Sequence, residues 1–298
     1  MQAWWMDAVC NYKNWDVLFY EKNNKIIAVW VYHFVKKFGL KLIIQPQLTQ
    51  INGIWIDYPD NLSSNEIVSF DKIVMTDLLN QFKNEKFSYY DQNFHYSIKN
   101  WLPFYWRDFK QTTRYTYQIN DISNPLKCLE EFSYAKRKQI KKSNNNFKCD
   151  FELSGEDFYK HVKLNLNALG KKVNYSNELF LRIYNSCVSR NQGCIISAFD
   201  ENENLHAALF IVWDQNSAFN LISTINPKFK SSGASTFVVW EAIKAMSNNT
   251  QIFDFEGSMS ENIENSFRQF GTNQVPYFRI IKQKSLFLKL VFRLKRWK

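Results

Sequence analysis

The sequence predicts an α+β protein with mixed sheets, arranged as two consecutive domains. Short apolar runs of strand length alternate with amphipathic helical segments along the whole chain. At 298 residues the chain is longer than one typical domain of about 100–200 residues. The order of strands followed by a helix occurs twice, which places a domain boundary near residues 110–120.

The first third is rich in aromatic residues and in strand patterns. The sequence predicts a short helix over 1–10, strands over Asp16–Tyr20, Ile26–Val35, Leu40–Ile44, 51–58 and Phe87–Tyr90, and a helix over Ser63–Phe82 capped by Ser64 or Asn65. The aromatic cluster 101–106 around Pro103 has two interpretations. Such a cluster packs in a core or a domain interface, or it stacks on bases or sugars.

The rest of the chain alternates helices with a strand meander. The sequence predicts strands over Tyr115–Ile119, Phe147–Leu153, Cys194–Asp200, Leu205–Trp213, Ser217–Thr224, Ile252–Phe255 and Tyr277–Ile281, and helices over 126–142, Gly155–Leu169, Ser176–Arg190 and Thr236–Met246. The connection from the meander through the last of these helices should make Ile252–Phe255 a parallel neighbour. Ligands commonly bind at the loops that follow strands in such sheets.

A candidate site follows the buried strand Ile252–Phe255. Asp254 and Glu256 are two residues apart, so in a strand they share the face opposite Phe253 and Phe255. Ser258 and Glu261 have the spacing of a capping box, which predicts a helix start immediately afterwards. Gly271 should end that helix. Two carboxylates beside a helix start are suited to act as a general base in a functional site. The alternative is an ordinary strand–turn–helix corner, which explains the same pattern.

The net charge of +10 is concentrated in two stretches. Residues 132–149 hold six Lys or Arg side chains and no acid, and residues 279–298 hold eight and no acid. Basic patches of this kind indicate anionic partners, such as phosphorylated substrates, RNA or a membrane surface. A solvated helix face is the alternative for the first patch.

Several classes of protein receive no support from the sequence. The five cysteines are scattered and odd in number, which indicates reduced thiols in a cytosolic protein. The four histidines have no metal-ligand spacing, so no metal site is predicted. No run is long and apolar enough to span a membrane, and the first residues do not have a signal-peptide pattern. There is no Gly-x-Ser-x-Gly motif and no triad pattern, so hydrolysis by a nucleophile is not predicted.

Several motifs together resemble the second domain of FemAB-type proteins, which are tandem members of the GNAT acyltransferase fold. They are Lys136–Lys142, the loop from Gly170 to Ser176, Lys230-x-x-Gly233-Ala-Ser235, and Phe253-Asp-Phe-Glu-Gly-Ser258 followed by Ser266-Phe-Arg-Gln-Phe-Gly271. The resemblance covers roughly residues 112–282. It implies two tandem GNAT-like domains over 1–114 and 115–284, with residues 285–298 packing back on the first, degenerate domain.

The resemblance also implies an activity and a set of residues. FemAB-type proteins transfer amino acids from aminoacyl-tRNA to a cell-wall precursor, whereas typical GNAT enzymes use acyl-CoA. The basic residue that follows Phe267 is often Lys in the family, and here it is Arg268. An arginine holds a carbonyl or a phosphate but does not serve as a base. For the acceptor amine, Asp254 or Glu256 is the candidate base, with Glu256 preferred because it is nearer the strand end.

Two loops are candidates for phosphate binding. CoA-dependent GNAT proteins have the pattern Arg/Gln-x-x-Gly-x-Gly/Ala, and in Lys230-Ser-Ser-Gly233-Ala234-Ser235 only the central Gly233 matches outright. Such a turn points backbone N–H groups and a helix dipole at an anion. Lys171 and Lys172 lie on another predicted loop, where they hold a phosphate or are simply solvated.

Two functional hypotheses therefore stand. The first is a transferase that moves an acyl or aminoacyl group from acyl-CoA or aminoacyl-tRNA onto an anionic cell-envelope precursor, either soluble or lipid-linked. The second is a non-catalytic binding module that uses its basic patches for a polyanion or a membrane. We expect the transferase site in a cleft between the domains, at Asp254–Ser258 and Phe267–Arg268.

The last stretch, residues 286–298, has the pattern of a basic amphipathic helix. Phe287, Leu290, Val291, Leu294 and Trp297 share one helical stripe, and the Lys and Arg residues lie off it. The pattern predicts either a closing helix packed on the first domain or a peripheral contact with the anionic inner membrane face.

Overall fold

The computed structural model describes residues 2–257 and 259–285, which divide into two compact units. The first unit comprises the chain as far as Arg114 and resumes at Pro276. The second unit is Tyr115–Val275.

The first unit is built from a strand-rich segment and one long helix. Its elements before residue 110 are α1 (Ala3–Cys10), β1 (Trp15–Lys22), β2 (Lys25–Lys37), β3 (Leu40–Ile44), β4 (Gly53–Ile56), α2 (Ser64–Phe82), β5 (Tyr89–Asn93) and α3 (Leu102–Tyr105). β2 pairs antiparallel with β1, β3 and β4, and β3 pairs parallel with β5. These elements confirm the predicted strands, except that β4 is two residues shorter at each end than expected and β5 begins two residues later and ends three residues later.

The long helix α2 is fixed by its first turn and by one apolar face. The N-cap is Ser63, not Ser64 or Asn65 as the sequence predicted. Ser63 and Glu66 form a complete capping box, in which each side chain accepts from the other residue's backbone N–H. Val74, Leu78 and Phe82 recur at helical spacing and are buried.

The core of the first unit is aromatic. Trp30 contacts Tyr90 and Phe104 edge to face, at centroid distances of 6.0 Å and 5.3 Å. The cluster around Pro103 therefore divides. Pro103 and Phe104 are buried, whereas Leu102, Tyr105 and Trp106 are exposed.

The second unit carries the strand meander and the remaining helices. Its elements are β6 (Lys110–Ile119), α4 (Pro125–Glu131), α5 (Tyr134–Ser143), β7 (Lys148–Asp150), α6 (Gly155–Ala168), α7 (Asn177–Val188), β8 (Gly193–Phe199), β9 (Leu205–Trp213), β10 (Ser217–Ile225), α8 (Ala234–Met246), β11 (Ile252–Asp254) and α9 (Glu261–Arg268). The strand order is β6-β11-β10-β9-β8-β7. β11 pairs parallel with β10, which confirms the predicted parallel connection.

The predicted single helix over 126–142 is two helices. Phe132 is extended, with ψ 148°, and Ser133 caps α5 by accepting from the Lys136 N–H. The break buries the Phe132 ring against Trp240 and Phe270, at 6.0 Å and 5.1 Å. Core packing therefore overrides the helical pattern of the local sequence.

The helix α9 also begins later than predicted. Its N-cap is Ser260, which makes no side-chain cap hydrogen bond. The expected cap Ser258 lies outside the described residues. Gly271 follows the helix with φ 66°, as predicted for a C-terminal glycine.

The last described strand, β12 (Asn273–Gln283), pairs antiparallel with β5 in the first unit. Arg279 forms a bidentate ion pair with Asp91 of β5. The predicted helix over 286–298 lies outside the described residues. Within 2–257 and 259–285, no helix has the length and hydrophobicity needed to cross a membrane, and no group of His, Cys, Asp and Glu side chains is placed to hold a metal ion.

Candidate functional site

The centre of the second unit's sheet opens where β10 and β11 part. The two strands pair only over Ser217–Phe219 and Ile252–Asp254. β10 then continues to Ile225 with a bulge between Asn220 and Ile222, whereas β11 ends. Beyond Phe219, no described strand pairs with the edge of β10 that faced β11. Its backbone groups are therefore able to bind an extended ligand.

A tight turn directs the chain away from β10 at this point. Glu256 has φ 54°, a left-handed conformation that costs a non-glycine residue about 1 kcal/mol or more. Gly257 follows with φ 28°. A Cβ at residue 257 would lie 2.6 Å from Thr116 Cα and even closer to the Tyr115 carbonyl, so only glycine fits against β6.

Both oxygens of the Asp254 carboxylate accept hydrogen bonds. Its Oδ1 accepts from the Thr116 hydroxyl and from the Glu256 N–H at 2.7 Å, and its Oδ2 accepts from Gln118 Nε2 at 2.7 Å. Burial raises its pKa, while these three donors act in the opposite direction. With its oxygens committed to β6 and to the turn, Asp254 positions the backbone of Glu256.

Glu256 is the carboxyl that stays free. Part of the residue's surface is exposed, yet the surrounding protein desolvates its carboxyl group. Burial, followed by repulsion from Asp254, raises the pKa of Glu256 well above its ordinary value. No described residue hydrogen-bonds its carboxyl oxygens. A carboxyl with a raised pKa is, once ionised, a stronger base than an ordinary carboxylate.

Phe267 and Arg268 occupy different surroundings on α9. The Phe267 ring packs on Phe255 at 5.0 Å and on Tyr117 at 6.1 Å. Arg268 is mostly exposed, and its guanidinium pairs with Glu264 and with Asn265 on the same helix. Phe267 thus belongs to the packing under the Glu256 turn, whereas Arg268 lies on the solvent side of α9.

In the loop from Lys230 to Ser235, backbone conformation and close packing both account for the glycine at residue 233. Gly233 is the N-cap of α8 with φ 90°. The position that a Cβ would take lies 2.9 Å from Ser143 Oγ of α5. Gly233 and Ala234 are buried, and Lys230 and Ser235 are exposed. The close approach of α5 therefore accounts for a glycine at residue 233, and the phosphate-binding role of the loop stays a prediction.

The lysines Lys171 and Lys172 are both exposed on the loop after α6. The Lys171 N–H donates to the Leu166 carbonyl at 2.9 Å, which closes the end of the helix. Among the described contacts, neither lysine side chain is engaged with Asp254, Glu256 or α9.

Sequence reasoning missed the buried lysine of the second unit. Lys136 is 7% exposed, donates to Thr236 Oγ1 at 3.1 Å and to Ser266 Oγ at 3.3 Å, and lies over the Phe270 ring. No acid pairs with it among the described residues, and burial lowers its pKa to about 8. The available signal was helical spacing, since Lys136, Ile140 and Ser143 share one face of α5.

The partners of Asp254 were missed as well. Thr116 and Gln118 are two residues apart on β6, and they point at the same carboxylate. Their period-two spacing in a strand was visible in the sequence, but their target was not.

The chain resembles known proteins in its structure. No family model matches the sequence, and no curated protein matches it. The crystal structure of FemX superposes with a TM-score of 0.72 at 11% identity, covering 93% of this chain and 90% of FemX. The chain has the fold of FemX.

Two further solved structures have the same architecture. A tandem GNAT protein from the clavulanic acid biosynthesis pathway gives a TM-score of 0.58 at 5% identity, covering 95% of this chain and 88% of that one. The C-terminal domain of a protein named as a lysylphosphatidylglycerol synthetase from Agrobacterium fabrum gives 0.56 at 9% identity, covering 94% and 87%. These likenesses confirm the predicted fold of two tandem GNAT-like domains.

Proposed function

We propose that this protein is a transferase that moves an acyl or aminoacyl group onto an amine. The observation that carries the proposal is Glu256, a desolvated carboxyl with free oxygens at the opening between β10 and β11 in a FemX-like fold. Glu256 takes the proton that the acceptor ammonium must lose before its nitrogen attacks the carbonyl. The new C–N bond replaces the thioester or ester bond of the donor, and CoA thiol or the tRNA hydroxyl leaves with a proton. Asp254 accepts the Glu256 N–H and so fixes the position of the base.

The unpaired edge of β10 supplies the second requirement of the reaction. A developing oxyanion needs N–H donors that are already in place, and a rigid strand edge presents them without reorganisation. The edge begins after Phe219, at the level of the Glu256 turn. Phe267 packs on Phe255 beneath this turn. Arg268 binds a carbonyl or a phosphate of the substrate when its guanidinium releases Glu264.

The proposed substrates follow the proteins that share the fold. We propose aminoacyl-tRNA or acyl-CoA as donor and an anionic, lipid-linked cell-envelope precursor as acceptor, reached at the inner membrane face from the cytoplasm. The names of FemX and of the lysylphosphatidylglycerol synthetase domain support this class of reaction. Lys171, Lys172 and Lys230 are exposed cations within the second unit that are available for substrate phosphates.

The test is a transfer assay with the purified full chain. Labelled acyl-CoAs and charged tRNAs are offered in turn, with soluble and lipid-linked peptide precursors as acceptors, and product is followed by mass spectrometry. With the substrate pair that this screen identifies, Glu256→Gln should lower turnover about 10²–10⁴-fold. Arg268→Ala should lower it through lost positioning. Full activity in both variants would refute the assignment of these residues.

A stability measurement separates lost chemistry from lost folding. Because the native pKa of Glu256 lies above its unfolded value, the native state holds the proton more tightly, and stability falls as the pH rises above the ordinary carboxyl range. Glutamine does not ionise, so Glu256→Gln should be at least as stable as the wild type at pH 7 in urea unfolding. A less active but equally stable variant therefore indicates a catalytic role.

A further inference from the structure

The exposed side of α5 carries a row of cations, of which only Arg137 bonds to the rest of the fold, by donating to the Glu130 and Phe132 carbonyls. We define the cationic stripe as Tyr134, Arg137, Lys138, Lys141 and Lys142. At about 100° per residue these five side chains fall within about 140° of the helix circumference. All five are exposed, and Tyr134 retains 73% of its accessible surface. Lys136, Ile140 and Ser143 on the opposite side are buried and hold the helix in place.

No acid neutralises the stripe. Residues 132–149 contain no Asp or Glu, and none of the four cations forms an ion pair with a described residue. Arg137 and Lys141, and likewise Lys138 and Lys142, are like-charge pairs four residues apart. Each such pair costs the helix a few tenths of a kcal/mol. Three lysines that weaken their own helix and make no described contact with the core fit the binding of a polyanion.

The chemistry of the stripe favours RNA over a membrane. A helix that binds a bilayer surface needs an exposed apolar face to insert between the lipids. The aliphatic core residue of α5, Ile140, is 3% exposed and already packed in the second unit. The one exposed ring, Tyr134, stands among the cations, as expected for a side chain that stacks on a base beside a phosphate backbone.

We propose that the cationic stripe of α5 is a docking surface for the sugar–phosphate backbone of RNA. From Tyr134 to Lys142 the helix rises about 12 Å, which is enough to span three or four phosphates of one strand. α5 packs directly on the start of α8, through Ser143 at Gly233 and through Gln139, which accepts from Thr236 Oγ1 at 2.7 Å. Docked RNA would therefore lie within the same unit as Glu256. This inference rests on the proposed function in one respect, which is that it takes aminoacyl-tRNA as the donor.

The experiment measures binding of fluorescein-labelled, uncharged bulk tRNA by anisotropy, at several salt concentrations and without turnover. The stripe variant is Lys138→Gln/Lys141→Gln/Lys142→Gln. Its matched control is Lys22→Gln/Lys83→Gln/Lys86→Gln, which removes three exposed lysines from the first unit. Wild type and control should bind alike. The stripe variant should bind at least tenfold more weakly near 100 mM salt, with the slope of log K against log salt reduced by about 2–3.

A second variant tests the stacking contact without changing any charge. Tyr134→Ala should weaken binding of a single-stranded 12-nucleotide RNA roughly fivefold to tenfold and leave the salt slope unchanged. Circular dichroism checks that each variant is folded.

Two results would overturn the proposal. The first is equal tRNA affinity of wild type and stripe variant. The second is wild-type protein that does not bind tRNA but floats with phosphatidylglycerol vesicles, while the stripe variant does not float. That result would make the surface a membrane contact. Because the assay involves no transfer, a failed transferase screen and a failed binding experiment remain separate results. A transferase that used only acyl-CoA and had no tRNA affinity would keep the proposed function and refute the docking surface.

Discussion

Single residues decide the chemistry of the Glu256 turn. Asp254 and Glu256 look equivalent in the sequence, being two carboxylates two positions apart. In the structure, Asp254 accepts three hydrogen bonds and Glu256 accepts none from a described residue. Burial raises the pKa of both carboxyls, so the hydrogen bonds distinguish them. The bonded carboxylate is a positioning group, and the unbonded one is the candidate base.

Lys136 gives a prediction at the residue scale. Its native pKa of about 8 lies below the ordinary lysine value of 10.5, so the unfolded state binds more protons between these pH values. Stability should therefore rise with pH from about 8 to about 10.5, by on the order of 1–3 kcal/mol. Lys136→Met keeps the length of the side chain and removes its charge, and should abolish this rise in urea unfolding.

Lys138, an exposed lysine on the same helix, provides the control for Lys136. Lys138→Met removes a charge from the same helix and should leave the pH dependence as in the wild type. If Lys136→Met still gained stability between pH 8 and 10.5, another group would be responsible. A large loss of stability at pH 7 would show that the bonds to Thr236 and Ser266 outweigh the cost of burying the ammonium.

At the scale of elements, the divergence of β10 and β11 depends on the turn at residues 256–257. Gly257 abuts β6 so closely that a side chain there must displace the backbone of Tyr115 or Thr116. Backbone cannot move as cheaply as the end of a flexible side chain. The turn, and with it the opening beside β10, is therefore fixed by one glycine.

Gly257→Ala should destabilise the protein by more than about 2 kcal/mol, because the new methyl group meets backbone and φ is unfavourable. Gly170→Ala is the matched control. Gly170 has φ 67° but nothing within 4 Å of the added methyl, so it should cost only about 1 kcal/mol. Urea unfolding of both variants makes the comparison. Equal losses would mean that the close approach to β6 contributes nothing to stability.

The two basic stretches of the sequence also differ at the scale of elements. In the second stretch, Arg279 is paired with Asp91, Lys282 donates to the Arg107 carbonyl, and Lys284 lies over the Phe87 ring. These cations secure β12 within the first unit. On α5 only Arg137 makes such contacts, with the Glu130 and Phe132 carbonyls. Lys138, Lys141 and Lys142 have none among the described residues, and for this reason the docking surface is assigned to α5.

At the scale of the whole molecule, the tail 286–298 keeps its prediction from the sequence. We expect weak, salt-sensitive binding of the full chain to anionic liposomes, since each Lys or Arg near such a surface adds about 1 kcal/mol. Deleting residues 286–298 should reduce flotation with phosphatidylglycerol vesicles.

The same deletion distinguishes the two interpretations of the tail. Equal flotation of the full and shortened chains would dismiss it as an anchor. Unfolding of the shortened chain would favour packing of the tail on the first domain.

The sequence alone determined the fold class and most elements of this protein. Strand and helix periodicity is a local property, so the meander, α6, α7, α8 and the parallel β11 could all be predicted. FemX shares the fold at 11% identity because a fold requires the pattern of apolar positions rather than particular residues. The motifs that resemble the FemAB type, among them the corner at Asp254–Gly257, pointed to that fold.

Tertiary structure decided what local pattern could not. The break between α4 and α5, the burial of Lys136 and the hydrogen bonds of Asp254 all depend on residues distant in the sequence, such as Trp240, Ser266 and Gln118. The glycine that suggested a phosphate loop is explained by the approach of α5 to Gly233. Hydrogen-bond partners and desolvation arise only when separate elements pack together, and they determine which of two similar carboxylates is free to react.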